Sequence, residues 1–280
     1  MPDSVLSHEP IIRLAAFAGI LAGMAAWEVL APRRDLHARR LRRWPNNLAI
    51  VVLDTLLVRL AFPLTAVGLA LLAETRGWGL FNAFAVPGWL AIPLAVILLD
   101  LAIYLQHVLF HAVPLLWRLH RVHHADPGFD VTTGVRFHPF EIALSVAIKL
   151  AVVLVLGTPA VAVVLFEILL NATSLFNHGN VRLPLALDRV LRRFVVTPDM
   201  HRVHHSVRGE ETNSNFGFNL PWWDRAFRTY RAQPLHGHDG MEIGLAEFRD
   251  ARESRLDRML LQPFRPAPAS GAPLPHQERR

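Results

Sequence analysis

Four long apolar blocks separated by polar stretches set the plan of this chain. The first, residues 11–31, carries Arg13 near one end and Trp27 and Glu28 near the other, where an interface can hold them, and Pro32 ends it. The second, about Leu48 to Ala73, is interrupted by Asp54, Arg59 and Pro63, which predicts a bend or a polar face turned to other helices. Trp89–His111 is a third span. The last block, Ile142–Phe176, has Gly157, Thr158 and Pro159 near its middle, which predicts a helical hairpin. The pattern therefore predicts an all-α, polytopic membrane protein with three spans, a helical hairpin and a His-rich helical cap.

The polar stretches predict topology. Residues 33–43 hold Arg33, Arg34, Arg39, Arg40, Arg42 and Arg43, a basic loop that the positive-inside rule places in the cytoplasm, with the amino terminus outward. Glu74–Gly88 has only Arg76 as a basic residue and reads as the outer side. Arg182, Arg189, Arg192 and Arg193 frame Leu and Val positions that suit an amphipathic helix on the membrane surface. Pro198 and Asp199 suit a helix start. The aromatics between Asn213 and Tyr230 read as a substrate rim or as interface anchors, with anchoring favoured. Residues 1–262 are thus expected to form one membrane-embedded domain, and Pro263–Arg280, rich in Pro and Ala, a disordered tail. No cleavable signal is expected, because the first ten residues carry Asp3 and Glu9 and no Lys or Arg.

Composition sharpens this reading. Hydrophobic residues are 52% of the 280, and mean hydropathy is +0.29, too apolar for an ordinary soluble domain. Cysteine is absent, which excludes disulfides, thiolate zinc sites, iron–sulfur clusters and a cysteine nucleophile. The net charge of +6 sits in Arg-rich segments flanking apolar ones, which points to anionic lipid rather than nucleic acid.

The chemistry lies in the histidines. H-V-L-F-H at His107 and His111 is followed by H-R-V-H-H at His120, His123 and His124, and the same pentapeptide returns at His201, His204 and His205. Random placement of the histidines would give such a pentapeptide pattern only ~0.04 times. On a helix, residues three and four apart share a face, so each box can aim its imidazoles at one point. A single tetrahedral zinc takes about four ligands, so eight histidines argue for two metals. Asp100, Tyr104, His107 and His111 form one stripe on the third span, where Asp100 is either functional or a satisfied contact between helices.

These residues resemble the fatty acid hydroxylase superfamily, also called the sterol desaturase family: integral-membrane, non-haem di-iron oxygenases. The likeness covers roughly His107 to Tyr230 and includes F-H-P at Phe137–Pro139, N-H at Asn177 and His178, N-F-G at Asn215–Gly217 and W-D-R at Trp223–Arg225, which resemble bacterial members. The resemblance implies that the eight box histidines bind two irons, with His178 a further ligand. His138 stays open between a ligand, a residue behind the ligands, a helix cap and a phosphate contact. Zinc can take such positions in a preparation. Asp199 and Glu141 are candidates to orient ligand imidazoles, or helix-start carboxylates meeting the dipole.

Dioxygen is the implied co-substrate and a lipid in the bilayer the implied substrate (sterol, fatty acyl, alkyl or isoprenoid). Hydroxylation is favoured over desaturation at the same site. A separate electron donor is implied, of cytochrome b5, ferredoxin or flavin reductase type, with the His cluster and carboxyl terminus on the cytoplasmic side of a bacterial inner membrane. A membrane zinc protease is disfavoured because His107 to His111 lacks the glutamate of H-E-x-x-H. A histidine-rich metal transporter would need ligands along a path through the bilayer rather than at one side.

Overall fold

The computed structural model describes residues 6–35 and 37–266. Seven longer helices come first: α1 (Glu9–Leu30), α2 (His37–Ala61), α3 (Ala66–Arg76), α4 (Gly88–Ala112), α5 (Pro114–His124), α6 (Pro139–Leu156) and α7 (Ala160–Asn177). The shorter α8 (Leu185–Leu191), α9 (Pro198–His204) and α10 (Leu256–Leu261) follow, with single helical turns between them. Among the described residues there is no strand, only isolated bridges pairing Pro32 with Val181 and Ser206 with Ile243.

Local chemistry sets the helix ends. Thr65 caps α3 by accepting from the Gly68 amide at 3.0 Å, and left-handed Gly77 closes it. Gly157 ends α6 at φ 64°, and Pro159 precedes α7, which gives the predicted hairpin. A Cβ on Gly157 would lie 2.5 Å from the Trp78 carbonyl oxygen, so only glycine lets the hairpin tip meet that turn. Thr197 caps α9, with Pro198 at the first helical position as expected.

Five segments are long and apolar enough to cross a membrane: Glu9–Leu30, Arg40–Ala83, Gly88–Ala112, Pro139–Leu156 and Ala160–Asn177. The chain is an integral membrane protein. The second segment holds two helices, α2 and α3, parted at residues 62–65 around Pro63, which disfavours helical geometry in the residue before it. α7 is the hub, with α1, α3 and α4 packed on it, while α6 packs on α2, α3 and α4. Their shared core joins Ala66, Val67 and Ala70 of α3 to Leu99 and Ile103 of α4, Val153 of α6 and Phe166 of α7. Alanines on α3 let the helices approach closely. Ile11, Leu14, Leu60, Trp89 and Val155 are exposed on the outside, as a lipid-facing surface requires.

Three sequence expectations are corrected. The basic stretch is not a loop throughout, because residues 37–43 open α2 and Arg43 is only 2% exposed. Glu28 does not sit at an interface: it is fully buried and accepts two backbone amides. The tail expected from Pro263 begins later, since Gln262–Phe264 form a 3-10 turn and Arg265 pairs with Glu253 at 2.8 Å. Residues 267–280 of that expected tail lie outside the described residues. One buried charge inside the bundle is paired twice: Glu167 of α7 meets Lys149 of α6 and, at 3.0 Å, Arg13 of α1.

Candidate metal centre

Four elements deliver nine imidazoles to one end of the bundle. α4 supplies His107 and His111 from its last turns. Val113 leaves the helical conformation and Pro114 restarts it, so α5 brings His120, His123 and His124 to α4. α7 ends at Asn177, which leaves His178 as its C-terminal cap, and α9 supplies His201 and His204, with His205 capping it. Eight of the nine are buried and His111 is partly so.

They form two groups. His107, His111, His120, His124 and His204 make one, and His123, His178, His201 and His205 the other; within each, one ring nitrogen per residue lies within 4.8 Å of the rest. The pentapeptides are therefore split between the groups, contrary to the expectation that each box aims at one point. Helical spacing explains the split. Residues i and i+4 stay together, as in His107/His111, His120/His124 and His201/His205, while the intervening i+3 residue, His123 or His204, joins the other group. The two boxes thus exchange one histidine each.

The contacts inside each group are between acceptor faces. Nε2 of His107 lies 3.1 Å from Nε2 of His120 and 3.0 Å from Nε2 of His204, and Nε2 of His178 lies 3.1 Å from those of His123 and His201. Four outer nitrogens of the first group have partners behind them. His107 Nδ1 donates to the Phe216 carbonyl at 2.7 Å, His204 Nδ1 to the Ser214 carbonyl at 2.7 Å, and His120 Nδ1 to Glu141 at 2.6 Å. His111 Nδ1 lies 3.3 Å from the Asn213 side-chain oxygen. In the second group, among the described residues, only His178 is anchored this way, to the Ser174 carbonyl at 2.8 Å.

Anchoring Nδ1–H turns an Nε2 lone pair inward, which is the tautomer a metal ligand needs. Burial first, and neighbouring imidazoles second, hold His120, His123, His124, His201 and His205 well below the ordinary histidine range; burial brings His178 down to about 3. They are neutral donors at pH 7. Buried Nε2 atoms of His111, His124 and His205 have no hydrogen-bond partner among the described residues. Nine clustered imidazoles, three of them with an Nε2 that has no partner among the described residues, fit divalent metal ions, and imidazole suits iron, zinc, copper or nickel.

The surroundings exclude water and set the ring angles. Phe137 stacks on His123 with ring centres 4.5 Å apart, Phe129 packs on His205 at 4.9 Å, and Phe216 contacts His107, His111 and His204. The carbonyls of Ser214 and Phe216 are held by a clamp. Asn215, at φ 53°, donates to the Met200 carbonyl at 2.9 Å, and Asp224 accepts from the Phe216 and Gly217 amides at 2.8 and 2.9 Å. A Cβ on Gly217 would lie 2.7 Å from the Asp224 carboxylate. N-F-G and W-D-R are the two halves of this clamp, so Phe216 is neither rim nor membrane anchor.

The remaining expected residues are placed as follows. Glu141 touches His120. Asp100 accepts through Oδ2 from Trp223 Nε1 at 2.8 Å, which ties α4 to the clamp, and belongs to neither histidine group. Asp199 meets Arg202, Arg33 and His238 rather than a member of either group. His138 lies outside both groups; it caps α6 by accepting from the Phe140 amide at 3.2 Å.

Three supporting features were not read from the sequence. Glu28 of α1 accepts from the Val131 and Asn180 amides at 2.7 Å each, which joins the loop after the second box to the residues that follow His178. Arg43 binds Asp126 through Nη2 and Asp130 through Nη1, both at 2.7 Å, which fixes the loop after the second box. The arginine of each pentapeptide is buried and belongs to neither histidine group. Arg121 donates to the Arg265 carbonyl at 2.8 Å, and Arg202 sits 5.1 Å over the Phe129 ring.

Residues 92–229 match the fatty acid hydroxylase family model. Among curated proteins, the chain is similar to ornithine lipid hydroxylase OlsE of Rhizobium tropici, 30% identical over 142 residues, 50% of this chain and 42% of the relative. Human alkylglycerol monooxygenase is 25% identical over 139 residues, 48% of this chain and 29% of the relative. Fatty acid hydroxylase vlmA of a Lecanicillium species is 28% identical over 155 residues, 50% and 42%. The aligned region spans less than half the length of each of these relatives. No solved structure matches the chain. Through the domain at residues 92–229, which contains all nine clustered histidines, the chain belongs to the fatty acid hydroxylase superfamily.

Proposed function

We propose that this protein is a membrane lipid hydroxylase that holds two non-haem irons, one on His107, His111, His120, His124 and His204 and one on His123, His178, His201 and His205. The observation that carries this reading is the convergence of nine imidazoles, eight of them buried and His111 partly so, in two groups. A pair of irons supplies reductive use of dioxygen against an unactivated C–H bond. The chain's own residues do the rest. Glu141, Asn213 and the carbonyls of Ser174, Ser214 and Phe216 orient the imidazoles. Phe129, Phe137, Phe216 and Phe218 keep water from them.

The site's position at one end of α4 and α7, rather than along a path through the bundle, supports an enzyme over a transporter. All three relatives quoted are named as hydroxylases or monooxygenases of lipids, which supports hydroxylation over desaturation. The substrate is a lipid reached from the bilayer, and the electron donor a separate carrier. The histidine end faces the cytoplasm of a bacterial inner membrane, consistent with Arg42, Arg118, Arg182 and Arg189 near it. His138 serves as a cap and not as a ligand.

The test uses purified protein in nanodiscs, a chemical reductant, 18-oxygen gas, and an ornithine lipid and an alkylglycerol as probes. Reductant-dependent transfer of one labelled oxygen into a lipid product is expected. Product formed without dioxygen, or labelled from water, would overturn the reading.

A further inference from the structure

One surface beside the site is both apolar and of a single charge sign. On α8 and just after it, Leu185, Leu187, Val190 and Phe194 are exposed, and so are Trp222 and Phe227 on the turn that carries W-D-R. The two pieces are joined, because Trp222 Nε1 donates to the Arg193 carbonyl at 2.8 Å and Arg225 to the Arg192 carbonyl at 3.0 Å. Every exposed charged residue in 182–194 and 222–228 is arginine: Arg182, Arg189, Arg193, Arg225 and Arg228. The carboxylates there are consumed internally. Asp188 pairs with Arg192, and Asp224 accepts the clamp amides.

The depth of this surface says what covers it. Trp223 bonds Asp100 and Phe227 stacks on Tyr104, with ring centres 5.4 Å apart. Those α4 residues precede His107 by seven and three positions, so the turn descends ~10 Å below the histidine layer, along a spanning helix. Leu105 and Leu109 of α4 continue the exposed apolar surface. An acidic protein in water would not meet side chains at that depth, whereas the headgroup and upper acyl region of the leaflet would.

We propose that residues 182–194 and 222–228 form a docking surface for anionic lipid: Leu185, Phe194, Trp222 and Phe227 enter the acyl boundary, and the arginines bind lipid phosphates. This is independent of the hydroxylase reading. Steered in this way, anionic lipid is enriched at the α4 edge of the site.

The test places the full chain in nanodiscs and follows the Trp222 contribution as the difference in emission between the native chain and Trp222→Phe. Lipids spin-labelled high on the acyl chain are expected to quench it, and aqueous iodide to lose access on transfer from detergent to bilayer. Energy transfer to dansyl-phosphatidylglycerol should saturate at a lower mole fraction than to dansyl-phosphatidylcholine, and Arg182→Gln, Arg189→Gln and Arg193→Gln should each raise that fraction roughly fivefold. Unchanged iodide access, which is also the outcome for a surface covered by a soluble protein, would overturn the proposal. Equal transfer to the two lipids, or equal competition by inorganic phosphate, would do the same. The quenching arm needs no arginine variant, so a misfolded variant leaves it standing.

Discussion

The two histidine groups are drawn from the same pentapeptide, yet they are supported differently. In the five-histidine group the outer nitrogens of His107, His120 and His204 donate to Phe216, Glu141 and Ser214, and that of His111 faces Asn213. In the four-histidine group the buried outer nitrogens of His123, His201 and His205 have no partner among the described residues, and packing by Phe129 and Phe137 orients the rings instead. Its anchored member, His178, depends on a loop that Glu28 of α1 pins from outside the family-matched region. Hydrogen bonds behind a ligand raise its basicity and fix its angle, so on the proposed two-metal reading the four-histidine group is expected to be the weaker and more exchangeable of the two. Identical motifs therefore need not give equal sites.

The largest test of this difference removes one exchanged histidine from each group. Metal analysis of His204→Ala is expected to retain the metal of the four-histidine group, and that of His123→Ala the metal of the five-histidine group; loss of both metals in either variant would mean a single coupled unit. Acid comes next. The folded values of His120, His123, His124, His178, His201, His204 and His205 lie below the usual 6.5, so between those values and 6.5 the unfolded chain binds more protons than the folded one. Stability is then full above about pH 6.5 and falls as pH drops, by up to about 1.4 kcal/mol per pH unit for each imidazole. Thermal melts of the metal-depleted protein across pH 7.5 to 4 check the sign, and a flat profile would refute it.

Glu141→Ala is expected to weaken metal binding to the five-histidine group by about 10–100-fold, and Glu141→Gln by less, as read by chelator competition. The smallest effect is at Glu28. Glu28→Ala, one contact further from the ligands, should weaken the four-histidine group by about tenfold and leave the other unchanged. An equal loss at both groups would make Glu28 a general fold residue.

Much of this was legible in sequence because the signals were periodic or rare. The apolar blocks marked the long apolar helices, Gly157 and Pro159 the hairpin, and the spacing of the boxes the candidate ligands. The partition of each box between two groups was not legible, because three- and four-residue spacings both place side chains on one helix face, and only the positions of α5 and α9 relative to α4 and α7 separate them. The roles of Glu28 and Arg43 were missed for a related reason: each acts on backbone or side chains far away in sequence, and nothing local marks such a partner. His138 shows the reverse hazard. It sits in a histidine-rich neighbourhood beside Pro139, and the cap geometry that uses it is as ordinary as that of Thr65.

The most direct test of two metals on nine histidines is Mössbauer spectroscopy, with metal counting, on protein grown in iron-57 medium and reconstituted anaerobically. About two coupled irons per chain are expected, falling to one in His204→Ala and in His123→Ala. A single iron in the native chain, or zinc alone that iron cannot replace, would contradict the di-iron account.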